Sequence, residues 1–224
     1  MKQTGRTMLA ALVAVFALGA LGSASASAAL PEFVPGTGEK LPATLEGSLS
    51  SAESSFKNET GVRAFGCTGA KFKGEVTGAK AASLTLELEG CRTEASSTCH
   101  SAGAAEGHVV VSGAAALDYI SKATKRVGLV LKLNEVEVSC GGVEYALIRG
   151  SVVVPVTPIN TKTSKVDLVI KTVSGKQEVS SYENEKGEVK TVKLEMAIPA
   201  WENVTFEVGQ EIKLASSKPL TIDA

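Results

Sequence analysis

The chain has 224 residues, 44% apolar, 4% aromatic and 21% charged, with 23 basic side chains against 24 acidic ones. Its lysines are scattered and no basic run reaches five residues, so neither nucleic acid nor an anionic membrane surface is an expected partner. The length suits one good-sized domain or two small ones.

The N-terminus has the pattern of an export leader. Lys2 and Arg6 precede an uncharged apolar run of 14 residues from Met8 to Leu21. Ala24-Ser25-Ala26 and Ala26-Ser27-Ala28 each fit the small-residue cleavage pattern. The run is too short to span a bilayer, which takes ~20 apolar residues. Residues 1–28 are therefore expected to be a signal peptide, and the mature chain to be secreted and released from the membrane. Cleavage would remove two basic residues, leaving 21 against 24, a net charge of −3. Residues 29–43, "ALPEFVPGTGEKLPA", are rich in Pro and Gly and expected to be extended.

The remainder, 44–224, reads as strands. "SLTLELE" alternates Leu84, Leu86 and Leu88 with polar partners, the period of a strand wet on one face. "AAALDYISKATKR" is the nearest thing to a helical pattern, and it is weak. "VGLVLKLNEVEVSC" puts Leu129, Leu131 and Leu133 on one face, followed by Val136 and Val138. Gly141-Gly142 suits a two-residue hairpin that needs positive φ. "VPVTPINTKTSK", 154–165, is either a crossover or a seam at which the domain could subdivide, near 155–165. "KVDLVIK" and "TVKLEMAI" alternate as well, through Val166, Leu168 and Ile170 and through Val192, Leu194, Met196 and Ile198. With turns at Ser174-Gly175 and Gly187, residues 165–198 are expected to form a three-stranded meander. Gly209-Gln210 is expected to close a type II′ hairpin between "TFEV" and "EIKL". The fold class is all-β: an antiparallel β-sandwich or barrel-like domain.

Four cysteines in an exported chain imply two disulfides. Zinc would want C-x2-4-C spacing with a second matched pair, whereas Cys67, Cys91, Cys99 and Cys140 are separated by 24, 8 and 41. Three pairings are possible. The easy closure of "RTEASST" favours Cys91 with Cys99, which leaves Cys67 for Cys140; Phe65 and Phe72 would pack around a bridge.

Catalytic parts are scarce. His100 and His108 have no carboxylate constellation beside them in the sequence and read as exposed strand or loop residues. Of three aspartates, Asp167 belongs to the wet face of a strand, Asp223 to the C-terminus, and Asp118 has no role to assign. Most glutamates, Glu87, Glu137 and Glu195 among them, alternate with apolar residues as a solvated sheet face does. No G-x-S-x-G elbow occurs, and "GTGEK" (36–40) and "SGAAALD" (112–118) read as turns. Asn58 and Asn203 fit the glycosylation acceptor pattern, which carries little weight in a bacterial-type export chain. No cofactor and no metal ligand set is expected. Trp201, in "AIPAWENVTF", is the one attractive aromatic for ligand binding; its competing reading is a plug at the end of the core.

The Ala-rich leader, "LPEFVP", a "GC" closing a strand, "SC" before a hairpin and "RGSVVVPVTP" together resemble uncharacterised secreted β-proteins of actinobacteria. The resemblance implies location and fold class and carries over no functional residue. The expected function is extracellular, non-catalytic binding of a surface, glycan, protein or small apolar ligand. The alternative is a secreted hydrolase or lyase with a Glu-based site.

Overall fold

The computed structural model describes residues 30–50 and 53–224; the expected leader lies outside them. The described residues form eighteen strands and no helix. In chain order they are β1 (Glu32–Pro35), β2 (Ala43–Leu49), β3 (Ser54–Asn58), β4 (Arg63–Cys67), β5 (Gly69–Val76) and β6 (Ala81–Glu89). Next come β7 (Cys99–Ser101), β8 (His108–Ser121), β9 (Arg126–Cys140), β10 (Val143–Thr157), β11 (Thr163–Leu168) and β12 (Thr172–Val173). The last are β13 (Lys176–Gln177), β14 (Ser181–Glu183), β15 (Val189–Thr191), β16 (Leu194–Ala197), β17 (Trp201–Val208) and β18 (Ile212–Asp223).

Eight of them close a barrel. The antiparallel circuit runs β2–β5–β6–β8–β9–β10–β11–β18 and returns to β2. Closure removes the edges that an open sheet would expose. Strand alternation sends Leu84, Leu86 and Leu88, with Phe72, Val111, Leu129 and Leu131, to the buried side, and Lys71, Lys73, Glu87 and Glu89 outward. An eight-stranded barrel is just wide enough for its side chains to fill. Inside, a cavity of about 30 Å³ remains, lined by apolar residues only. Such a space is dry and too small for a ligand.

The first half of β10 is shared. Leu147–Gly150 pair with β16, and the ladder continues through β17 to β3 and β4. Across this second sheet Phe65, Phe56 and Phe206 stand in register, with ring centroids 4.9 and 4.6 Å apart. Each stacked pair adds about 0.5–1.5 kcal/mol beyond the area buried. Phe56 and Phe206 line the same small cavity as Phe72 and Leu84 of the barrel, so sheet and barrel share one core.

Much of the sequence pattern is confirmed. The alternation in β9 changes phase between Leu133 and Val136, and there the register with β10 slips: three steps on β9 oppose two on β10. That is a β-bulge at Asn134-Glu135, both exposed. Gly141-Gly142, at φ 63° and 82°, form the expected hairpin between β9 and β10. Ser174-Gly175 and Gly187 likewise close β12–β13 and β14–β15. The Pro/Gly-rich segment is extended as β1 along β18, with Phe33 buried. The 154–165 segment joins β10 to its barrel neighbour β11.

Four expectations fail. Residues 165–198 do not form a meander: β11 lies between β10 and β18, the β14–β15 hairpin joins β8, and β16 lies between β10 and β17. Gly209-Gln210 is no hairpin, because β17 belongs to the second sheet and β18 to the barrel. Gly209 instead passes close to Glu53, its N–H donating to Glu53 O at 2.9 Å. The "SGAAALD" stretch, expected as a turn, lies in β8, where nine-residue pairing with β6 holds the chain extended.

The fourth is the disulfide pairing, which is Cys67–Cys91 and Cys99–Cys140. The loop after Cys91 does fold back, with Cys99 N–H donating to Cys91 O at 2.9 Å. Sheet register then hands each sulfur to another partner. Cys99 stands directly across from Cys140 in the β7–β9 ladder. Cys67 is brought to Cys91 by the Gly66–Arg92 bridge. All four are buried.

Candidate functional site

With the barrel filled, the surface is where a ligand can be met. One strand junction lies where β10 leaves β16 to join β11. Here the β12–β13 hairpin folds alongside β17 and encloses a cleft of about 180 Å³. Ser151, Lys193, Asn203, Thr205, Lys176 and Glu59 contribute hydroxyl, amide and charged groups to its lining.

The cleft walls are fastened by side chains. Gln177 Oε1 accepts from Phe206 N–H at 3.2 Å, and Gln177 Nε2 donates to Lys171 O at 3.1 Å. Glu207 accepts from Lys57, Thr172 and Ser55, which ties the hairpin to β17 and β3. The bonds from Lys57 and Thr172 hold its carboxyl below the usual carboxylate range, against partial burial. Asn203 Nδ2 donates to Glu59 Oε1 at 3.0 Å on the cleft rim.

Trp201 lies two residues before Asn203 on the same outward face of β17, about 7 Å along the strand. It is 39% exposed and outside the core cluster, so it does not plug the core. The Arg149 guanidinium lies over its ring at 3.7 Å from the centroid and is held by Glu195 at 3.2 Å. Trp201 and Asn203 thus make an outer track along β17, and Asn203 carries it to the cleft, which Trp201 itself does not line.

The histidines do have carboxylates beside them, contrary to expectation. His108 Nδ1 is 2.9 Å from Glu87 Oε1, and His100 Nδ1 is 3.4 Å from Glu106 Oε1. The first arises from the β6–β8 register, in which His108 stands opposite Glu89 and diagonal to Glu87 on the same face, a proximity that no local sequence pattern marks. Phe65 and Phe72, placed near a disulfide on sequence grounds, are both core residues.

Asp118, on β8, is the one strongly shifted carboxyl among the described residues. Burial beneath the β14–β15 side of the barrel, reinforced by Glu185, raises it to about 6 against the pull of Lys122 and Lys80. Its Oδ1 is buried without a hydrogen-bond partner. Because the folded value lies above the ordinary 3.8, the cost of ionising Asp118 is absent below that pH, grows as pH rises toward 6, and is complete above it. Asp118→Asn is therefore expected to stabilise the protein at pH 7.5 by about 1–2 kcal/mol, after allowance for solvent screening. Urea unfolding at pH 7.5 and 3.5 checks this: the gain must vanish at the lower pH, and a gain of equal size at both contradicts it.

Comparison with protein-family models, with curated proteins and with solved structures returned no match.

Proposed function

We propose that the protein is a secreted, non-catalytic binding protein that takes a hydroxyl-rich extracellular ligand, a glycan, along the track from Trp201 to the cleft. The supporting observation is the continuity of an exposed aromatic with a cleft lined by hydroxyl, amide and ammonium groups. The face of the Trp201 ring turned away from Arg149 would pack on the apolar face of a sugar ring, and neutral polar groups would exchange hydrogen bonds with its hydroxyls. The scaffold suits this use. Barrel and second sheet hold the track rigid, so little ordering cost falls on association. The two disulfides fit the oxidising surroundings of an extracellular protein, and no described helix is long and apolar enough to cross a membrane.

The alternative, a Glu-based hydrolase or lyase, needs an acid and a base converging on one substrate. Glu59 is the one carboxylate among the residues lining the cleft, and Asp118 is not among them. Calorimetry against a panel of soluble oligosaccharides decides between the readings. Binding should weaken at least about tenfold in Trp201→Ala and in Asn203→Ala, with the far-ultraviolet spectrum unchanged. Product formation abolished by Glu59→Gln, or binding indifferent to Trp201, would reverse the proposal.

A further inference from the structure

On the barrel wall, away from the cleft, the outer faces of β6 and β8 bring together three donors. Glu89 and His108 are direct cross-strand partners, and Glu87 lies two residues along β6 on the same face. A carboxylate oxygen of each glutamate and an imidazole nitrogen of His108 all lie within 4.8 Å of one another. We propose that Glu87, Glu89 and His108 form a binding site for a divalent transition-metal ion, with Zn²⁺ as the natural probe.

Three observations carry the assignment. The donors stand on paired strands of a closed barrel, so their Cβ positions are set by the ladder rather than by loop conformation. One imidazole and two carboxylates make a borderline nitrogen–oxygen set suited to Zn²⁺ and its neighbours and poorly suited to soft ions. A tetrahedral ion holds its nitrogen and oxygen ligands at about 2.0–2.1 Å and thus ~3.4 Å apart, a contraction that side-chain torsions alone can supply. Three protein ligands leave a fourth position to water or to an outside group.

A competitor is present, and its weight is small. Lys71 pairs with Glu89 from β5, and this contact raises the lysine above its ordinary value. The ammonium is half-exposed, and an exposed pair of this kind contributes little. It can swing into solvent when a doubly charged ion arrives. The residue facing Glu89 on β5 is Gly69, which places no side chain against that carboxylate.

The test is calorimetric titration of the mature full-length protein with Zn²⁺. One saturable ion per chain is expected, lost or weakened at least about tenfold in His108→Ala and in Glu87→Gln. His100→Ala should leave it unchanged, and Lys71→Met, which removes the competing cation, should tighten it severalfold. In a ¹H–¹⁵N spectrum of the imidazoles, His108 should be the ring perturbed. Absence of saturable binding up to about 1 mM in both the native chain and Lys71→Met overturns the proposal, as does binding that His108→Ala leaves intact.

Discussion

Reducing both disulfides is expected to leave the chain unfolded or barely stable near room temperature. The bridges close sequential loops, Cys67–Cys91 with a separation of 24 and Cys99–Cys140 with 41. Loop-closure entropy assigns about 3.5 kcal/mol to the first and about 4 kcal/mol to the second. Because neither loop lies inside the other, the two contributions add to about 7.5 kcal/mol, against a total stability of about 5–15 kcal/mol for a domain of this kind. The first bridge also ties β4, the outer strand of the second sheet, to the end of β6 in the barrel. Cys67→Ser with Cys91→Ser should therefore loosen β4 and the Phe65 end of the aromatic row before the barrel opens. Urea unfolding with and without reductant measures the sum, and non-reduced peptide mapping verifies the pairing. A reduced protein that loses less than about 2 kcal/mol would contradict the loop account, and a Cys91–Cys99 peptide would contradict the structure.

The pairing also shows what the sequence could and could not convey. Alternation revealed which face each strand buries: Leu84, Leu86 and Leu88 in β6, Val166 and Leu168 in β11, and Leu194 and Met196 in β16 are all buried as their period demands. The change of phase after Leu133 in β9 coincides with a bulge that the alternation alone did not identify. Glycine turns between adjacent strands were legible too, because positive φ is a local requirement.

Partners were a different matter. A period of two says nothing about which strand lies alongside, and here neighbours are often remote: β18 pairs with β1 and β2, and β17 with β3. The false meander and the false Gly209 hairpin share this cause, since each assumed that strands adjacent in sequence were adjacent in space. Cysteine pairing failed for the same reason. A short loop is easy to close, but ladder register had already placed Cys99 against Cys140. The surface track and the Glu87–Glu89–His108 cluster depend on register in the same way. Each glutamate alone looks like a solvated strand position, and the convergence exists only once β6 is aligned with β8. Trp201 stood out as the lone tryptophan; the cleft beside it is made by the parting of β10 and β16, which leaves no local mark.

That parting depends on one backbone position. Gly150 lies on β10 where the second sheet leaves the barrel, at φ 113°, a conformation that side chains rarely adopt. A Cβ there would fall 2.1 Å from Lys193 O and 3.1 Å from Lys193 C, both backbone atoms immediately before β16. Neither can yield without moving the strand. Gly150→Ala is therefore expected to cost more than about 4 kcal/mol, combining the strained φ with displacement of β16. Its effect should be uneven. Amides of β16 and β17 should exchange faster than those of β5 and β6, and ligand binding at the cleft should fall with them, because Ser151, Lys193 and Leu194 line it. Gly187→Ala provides the control. Gly187 also has positive φ, 74°, but its Cβ would meet only the tip of Lys122 at 3.9 Å, so about 1 kcal/mol is expected there. Urea midpoints and hydrogen exchange on the two variants separate strain from collision. Equal losses would mean that φ alone sets the cost and that the close approach of β10 to β16 does not hold the second sheet in place.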